Sequence, residues 1–106
     1  MKVIESSCDG HVRIWNFHSA QLLKKIKVCD EFLKGICLWD NDYLFVACKN
    51  TTIKLIELKK GIITKSLEGH KEYVLTIKII KHPIFGKCLV SKGADNDNIK
   101  LWIIKK

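Results

Sequence analysis

Residues 6–16, SSCDGHVRIWN, are the first of three related stretches in this chain. The second is ACKNTTIKLIE at residues 47–57, and the third is KGADNDNIKLW at residues 92–102. Their aligned positions are 41 and then 46 residues apart, because the loop KHPIFGK adds five residues to the later interval. A period of about 40 residues built from strand-like units is typical of a repeat architecture in which neighbouring units share a core.

Length and composition exclude several classes of protein. The chain has 106 residues, is 47% apolar and has a mean hydropathy near zero, which favours one packed domain over a disordered segment. Its apolar runs are short, so none approaches the roughly 20 residues of a membrane-spanning helix. No signal-peptide pattern follows Met1. We therefore expect an intracellular protein, either cytoplasmic or nuclear.

The cysteine pattern favours neither a disulfide framework nor a zinc site. The five cysteines are Cys8, Cys29, Cys37, Cys48 and Cys88. They are odd in number and form no C-x-x-C pair, so we interpret them as small buried apolar residues. Cys8 and His11 form a C-x-x-H pair that has no second half-site of comparable spacing. We predict no metal and no cofactor.

The charge of the chain leaves a second function class open. The formal net charge is +8 with 19 basic residues, of which Arg13 is the only arginine. Nucleic-acid readers rely on arginine for bidentate contacts, whereas the lysines here are spread along all the repeats. The favoured interpretation is a solvated surface that keeps the strands soluble. The alternative is a basic, RNA-associated module that binds nucleic acid through its lysine-rich surface.

Alternating apolar and polar positions with turn residues between them predict short strands throughout. We expect ten, at residues 3–8, 11–17, 22–28, 34–39, 43–48, 52–58, 62–67, 73–81, 87–92 and 98–104. They divide into three units of one domain, or of part of one. Residues 1–28 form an incomplete unit of three strands, residues 29–68 a complete unit of four, and residues 69–106 an incomplete unit of three.

The third unit carries a resemblance to a known family. Residues 69–79, GHKEYVLTIKI, followed by residues 89–102, LVSKGADNDNIKLW, resemble a WD repeat of the β-propeller family. The resemblance covers essentially the whole chain, though unevenly, and the literal Trp-Asp dipeptide never occurs. It implies an all-β fold, a partial β-propeller of four-stranded antiparallel blades that does not close a ring by itself.

In this family a histidine, a serine or threonine, an aspartate and a tryptophan form a hydrogen-bonded structural network inside a blade. The resemblance assigns these places in the third unit to His70, Ser91, Asp95 and Trp102. Asp97 is a rival for the place of Asp95, because the turn is one residue longer than usual. A buried indole N–H needs such a partner, and a hydroxyl group supplies it.

The other two units depart from this pattern. The first unit retains a serine, an aspartate and a tryptophan, namely Ser7, Asp9 and Trp15, but its histidine-bearing segment would precede Met1. The second unit has other residues at the histidine, aspartate and tryptophan positions, namely Cys29, Asn50 and Ile56. We expect this second blade to rely on apolar packing.

The resemblance implies a protein-protein interaction scaffold acting in a multi-protein complex, and not an enzyme. His70 near an aspartate suits a structural role better than that of a catalytic base, because its repeat context matches. Two aromatic residues, Phe32 and Tyr73, occupy equivalent positions in successive repeats and are candidate partner-binding residues. Lys49 and Ala94 should lie beside them. The competing interpretation is that both rings pack against neighbouring blades.

The ends of the chain suggest a segment of a larger propeller. In closed propellers of this family the last repeat stops at the third strand of a blade, as this chain does after IKLWII. The N-terminus instead enters at a second strand. We therefore expect the C-terminal two and a half blades of a longer ring, with unpaired strand edges that favour self-association.

Overall fold

The computed structural model describes residues 1–94 and 98–104, and all the regular structure in these ranges is β-strand. The ten strands are β1 (Lys2–Ser6), β2 (His11–Asn16), β3 (Leu22–Lys27), β4 (Leu33–Leu38), β5 (Tyr43–Cys48), β6 (Ile53–Glu57), β7 (Ile62–Leu67), β8 (Val74–His82), β9 (Gly86–Gly93) and β10 (Ile99–Trp102). The predicted all-β fold with about ten short strands is confirmed.

The strands form three antiparallel sheets in which sequence neighbours pair. The first sheet has the order β1-β2-β3, the second β4-β5-β6-β7 and the third β10-β9-β8. In the described part of the chain none of the three sheets closes into a barrel, which agrees with the predicted partial propeller. The second sheet lies between the other two, since its buried residues contribute to both apolar clusters of the molecule.

Burial follows from the place of each strand in this stack. In β5, YLFVAC, the side chains alternate between the two neighbouring sheets, so five of its six residues are buried. The strand therefore appears as a continuous apolar run. The outer strand β7, IITKSL, is exposed along most of its length, because no described element covers it.

Two apolar clusters hold the sheets together. One joins the first and second sheets and contains Val12, Ile14, Ile26, Val28, Leu44, Val46, Cys48 and Ile56. The other joins the second and third sheets and contains Trp39, Phe45, Ala47, Ile53, Leu55, Val74, Ile77 and Leu89. Trp39 and Phe45 meet edge to face at 5.6 Å between ring centroids, a favoured aromatic geometry.

Gly10 connects the first hairpin to the loop that follows β3. Val28 N donates to Gly10 O at 2.8 Å. The φ angle of Gly10 is 81°, and a Cβ at this position would lie 1.9 Å from Cys29 O. Only glycine fits so close a backbone approach at positive φ.

The cysteines differ in exposure more than the sequence predicted. Cys48 and Cys88 are buried, and Cys29 and Cys37 are half-buried. Cys8 is exposed, so its interpretation as a buried apolar residue was wrong. Its place in the tight turn after β1 explains this difference, since turn residues lie at the surface.

Candidate functional site: an aromatic and lysine surface above a buried polar network

A buried polar network occupies the third sheet. Ser91 Oγ on β9 accepts a hydrogen bond from Trp102 Nε1 on β10 at 2.7 Å. His70 Nε2 lies 2.6 Å from the same oxygen, within hydrogen-bond distance. Ser91 and His70 are 1% and 6% exposed, so water does not compete for these bonds. Three of the four expected network residues are thus in contact, and Asp95 and its rival Asp97 lie outside the described residues.

Strand register identifies the equivalent position in each sheet. Trp102 pairs with Leu89, and Ser91 lies two residues further along β9 on the same side of the sheet. In the second sheet Ile56 pairs with Leu44, which places Val46 at the serine position. In the first sheet Trp15 pairs with Val3, which places Glu5 there.

The second sheet fills this position with apolar atoms. Val46 and Ile56 are fully buried in the cluster between the first two sheets, and Cys29 packs against that cluster. Burial raises the pKa of the neighbouring Cys48 thiol to about 12, and hydrogen bonding with the Cys29 thiol adds to the shift. Cys48 therefore stays protonated and unreactive at neutral pH.

In the first sheet Ser7 and Asp9 are in contact with each other, but Trp15 bonds to a different residue than the sequence suggested. Trp15 Nε1 donates to Glu5 Oε1 at 3.1 Å. Ser7 instead donates to Asp9 Oδ1 and accepts from Arg13 NH1 at 2.8 Å. In the sequence Glu5 stands four residues before Asp9, as Ser91 stands four before Asp95, so the spacing and the register across the hairpin both select Glu5 and not Ser7.

Asp9 in the turn after β1 forms a surface ion pair with Arg13 on β2. Arg13 NH2 lies 2.8 Å from Asp9 Oδ2. The hydrogen bonds from Arg13 and Ser7 hold the pKa of the Asp9 carboxyl well below its usual range, and the pKa of Arg13 is raised in return. Asn50 has the equivalent place in the second sheet and accepts from Thr52 N at 2.9 Å.

Phe32 and Tyr73 occupy equivalent places. Phe32 directly precedes β4, the first strand of the second sheet, and Tyr73 directly precedes β8, the first strand of the third sheet. Lys49 N donates to Phe32 O at 2.8 Å, and Ala94 N donates to Tyr73 O at 2.9 Å. The two rings remain 48% and 38% exposed. Neither ring is buried in the core of the chain, which would have removed them as candidates for partner binding.

A lysine ammonium group lies over each ring. Lys49 Nζ is 5.0 Å from the centroid of Phe32, and Lys34 Nζ is 5.5 Å from that of Tyr73. Both distances suit a cation-π contact. We call Phe32, Lys34, Lys49 and Tyr73 the aromatic–lysine surface. It spans two sheets, because Lys34 belongs to the second and Tyr73 to the third.

Sequence reasoning missed Lys34, and a β-bulge explains why. The register between β4 and β5 shifts between Leu33 and Gly35, so Lys34 is the extra residue of the bulge. The register between β8 and β9 shifts at the equivalent point, next to Leu75. A bulge re-aims one side chain, and the alternation of the sequence does not reveal its position.

Ala94 does not belong to this surface. It is 2% exposed, so its side chain cannot contact a partner, contrary to the role in binding expected from the sequence. It lies next to Tyr73 as expected, but only its backbone takes part.

Neither a metal-binding group nor a membrane-spanning helix accompanies this surface in the described part of the chain. Within residues 1–94 and 98–104, no three His, Cys, Asp or Glu side chains are grouped so as to hold a metal ion. The same ranges contain no helix with the length and apolar character to cross a membrane.

The three sheets have the fold of WD40 β-propeller blades, and the chain resembles the WD-repeat family. The WD40 β-propeller domain of Doa1 superposes with a TM-score of 0.83 at 21% identity over 96% of this chain. The structure of U3-55K superposes with a TM-score of 0.81 at 16% identity over 97% of this chain. No family model matches the sequence.

A curated relative adds a similarity in sequence. The U3 small nucleolar RNA-associated protein 21 homolog of Schizosaccharomyces pombe is 23% identical over 100 residues, which are 94% of this chain. The chain spans 11% of that relative, 32% of the Doa1 structure and 31% of the U3-55K structure. The chain is therefore as long as only a part of each of these proteins.

Proposed function

We propose that this chain is a non-enzymatic protein-interaction scaffold that binds a partner protein through the aromatic–lysine surface. The observation that carries the proposal is the pair of exposed rings, Phe32 and Tyr73, at equivalent places on adjacent sheets, each under a lysine ammonium group. The proposal extends to a role as one segment of a larger propeller in a multi-protein complex.

The chemistry of the surface defines the partner. Exposed aromatic rings supply large contact area at little cost in conformational entropy, and they are frequent anchors of binding energy. Lys34 and Lys49 add positive charge beside the rings. A segment that combines an apolar or aromatic side chain with carboxylates complements both features.

Two observations support a scaffold over an enzyme. His70 is committed to Ser91 in a buried network and does not face an open cleft. The surface turn that holds Ser7, Asp9 and His11 is joined to Arg13, which holds the Asp9 carboxylate in an ion pair. A general base needs access to a substrate proton and enough basicity to take it; burial denies the access to His70, and the hydrogen bonds from Arg13 and Ser7 lower the pKa of Asp9.

Nucleic-acid binding is the less favoured alternative. The S. pombe relative is named for an association with small nucleolar RNA, and the same name is the basis for expecting a nuclear location. Against RNA binding, the only arginine, Arg13, is engaged by Asp9. A test at low salt separates the two, because contacts with several phosphates weaken steeply as salt rises.

The decisive experiment selects binding peptides from a displayed random library on the purified chain. Selected peptides are then measured against the double variant Phe32→Ala/Tyr73→Ala. The loss of two anchors should weaken binding by about a hundredfold. The matched control is Phe17→Ala/Phe85→Ala, which removes two exposed aromatic rings elsewhere.

Two outcomes would overturn the proposal. One is that the control variant weakens binding as much as Phe32→Ala/Tyr73→Ala. The other is that the chain binds single-stranded RNA in a salt-dependent manner while no selected peptide depends on Phe32 or Tyr73.

A further inference from the structure

The β8–β9 hairpin is longer than the equivalent hairpin of the second sheet. The β4–β5 ladder ends where Leu38 pairs with Leu44, and the equivalent pair in the third sheet is Ile79 with Leu89. Five residues separate the first pair and nine separate the second, so four of the five residues that lengthen the later repeat interval lie in this hairpin. Three further pairs form there, Ile80 with Cys88, Lys81 with Lys87 and His82 with Gly86. We call residues 80–88 the hairpin arm.

The tip of the hairpin arm is a preorganised turn. Pro83, the only proline of the chain, fixes its own φ angle. His82 Nδ1 accepts hydrogen bonds from Ile84 N at 3.0 Å and from Phe85 N at 3.2 Å. Gly86 has a φ angle of 74°, which lets the chain return into β9. The turn therefore holds its shape through bonds among its own residues.

The tip presents two large apolar side chains to the outside. Ile84 is 80% exposed and Phe85 is 50% exposed. Exposed apolar side chains grouped in this way mark an interaction site. The arm is an internal insertion and passes the level at which the second sheet turns, so a further blade of that size beside the third sheet would not reach its tip.

The surroundings of the tip are basic. Residues 73–94 contain four lysines and no aspartate or glutamate. Lys81 and Lys87 are cross-strand partners one position before the pair that closes the arm, and like charges in such a pair repel. Lys87 Nζ turns back to Trp39, where it donates to the carbonyl oxygen and lies 4.4 Å from the ring centroid. Lys81 is exposed, so an anion beside the tip would relieve the repulsion.

This combination of side chains favours a lipid surface over a protein pocket. Protein interfaces are enriched in arginine and depleted in lysine, whereas all the strongly basic residues beside this tip are lysines. Lysine ammonium groups are attracted to anionic headgroups, and aromatic and aliphatic side chains enter the boundary between headgroups and acyl chains. The acidic turn of the second sheet, with Asp40 and Asp42, begins three residue pairs behind the closing pair of the arm.

We propose that the hairpin arm binds the surface of an anionic membrane. Ile84 and Phe85 enter the boundary between headgroups and acyl chains, and Lys81 lies against the negatively charged headgroups. The contact is peripheral and does not span the membrane. It lies at the opposite end of β8 from Tyr73, so it is independent of the partner binding proposed for the aromatic–lysine surface.

The test is co-sedimentation of the chain with phospholipid vesicles. Vesicles of phosphatidylcholine with about a third phosphatidylserine should bind it at least about tenfold more tightly than pure phosphatidylcholine, and less so as salt rises. Ile84→Ala/Phe85→Ala should weaken this binding about tenfold, because the apolar contact is lost. The matched control, Phe32→Ala/Tyr73→Ala, removes two exposed rings at the opposite end and should leave binding within about twofold.

A second pair of variants tests the charge beside the tip. Lys81→Glu should weaken binding about fivefold or more. Lys49→Glu makes the same change at an exposed lysine of the opposite end and should leave binding within about twofold. Insertion of the tip is measured with Phe85→Trp, whose added fluorescence should be quenched by brominated phosphatidylcholine, while the native tryptophans should not be quenched.

The proposal fails on any of three results. Absence of binding to both kinds of vesicle would leave the tip to a pocket of a partner protein. Unchanged binding of Ile84→Ala/Phe85→Ala would assign the attraction to the net charge of +8 alone. A bound Phe85→Trp chain whose fluorescence escapes the brominated lipid would show that the tip stays outside the membrane.

Discussion

The second and third sheets present the same backbone position with opposite chemistry. In the third sheet Ser91 lies between His70 and Trp102, and hydrogen bonds join the three side chains. In the second sheet Val46 and Ile56 occupy the matching places and are fully buried among apolar neighbours. Both arrangements serve the same architecture.

This difference shows that the buried position tolerates either a complete set of hydrogen bonds or a fully apolar set of side chains. A buried polar group costs little when every partner is present and much when one is missing. An apolar set needs no partners at all. The mixture of the two in one chain explains why its repeats look unequal in sequence while their sheets have the same register.

The largest expected effect comes from breaking the polar set. Ser91→Ala removes the oxygen that His70 and Trp102 share, so His70 Nε2 and Trp102 Nε1 lose this hydrogen bond. The free energy of unfolding should fall by about 3 kcal/mol, measured by urea denaturation. Ser66→Ala makes the same substitution at an exposed hydroxyl on β7 and should change it by less than about 0.5 kcal/mol.

The apolar side chains of the second sheet, placed in the third, should restore part of the lost free energy of unfolding. The triple variant His70→Cys/Ser91→Val/Trp102→Ile transfers the second sheet's residues to the third. It should be more stable than Ser91→Ala, since no buried donor is left unpaired. A triple variant less stable than Ser91→Ala would show that the two sheets are not equivalent.

Placing a polar group in the apolar second sheet should lower the free energy of unfolding by less. Val46→Thr keeps the shape of the side chain but places a hydroxyl where the neighbours are apolar. The expected loss is about 1.5 kcal/mol in the same urea measurement. A stabilised Val46→Thr protein would mean that the second sheet offers this hydroxyl a partner, contrary to the comparison.

The first sheet should respond least among the three. Glu5 receives the indole N–H of Trp15 at an exposed site, so water replaces the lost bond. Glu5→Ala should lower the free energy of unfolding by about 0.5 kcal/mol or less. A loss as large as that of Ser91→Ala would contradict the distinction between buried and exposed networks.

The turns after β1 and β5 should differ in pH dependence. Because the pKa of Asp9 is lowered in the folded chain, its contribution to stability is present above the unfolded pKa and lost as pH falls through the folded pKa. An NMR titration should find the Asp9 carboxyl ionised below the usual aspartate range. Arg13→Gln should move its pKa back up, whereas Asn50 gives the second turn no such titration.

The fold was predictable because alternation and turn residues mark the strands directly. The strands at Tyr43–Cys48 and Ile62–Leu67 have the predicted bounds. Other bounds differ by one or two residues, as at Ile99–Trp102, where the pairing is shorter than the apolar pattern suggested. Hydrophobic pattern specifies a strand, but the hydrogen-bond ladder decides where it ends.

The candidate site was predictable only in part. The equivalent places of Phe32 and Tyr73 followed from the repeats, whereas the exposure of their rings did not, because the sequence left open whether they pack against neighbouring blades. Lys34 did not, because its position depends on a bulge and on the packing of one sheet against the next. Glu5 was missed for a different reason: the expectation favoured a serine by residue type, although Glu5 stands four residues before Asp9 as Ser91 stands four before Asp95.

The central claim is that partner binding depends on the aromatic–lysine surface that the second and third sheets build together. Its most direct test is isothermal titration calorimetry of one selected peptide against Tyr73→Ala, Lys34→Gln and the double variant. Because Lys34 lies over the Tyr73 ring from the neighbouring sheet, the two changes should be non-additive, with a coupling of at least about 0.5 kcal/mol. Full additivity, or binding unaffected by Tyr73→Ala, would contradict the account.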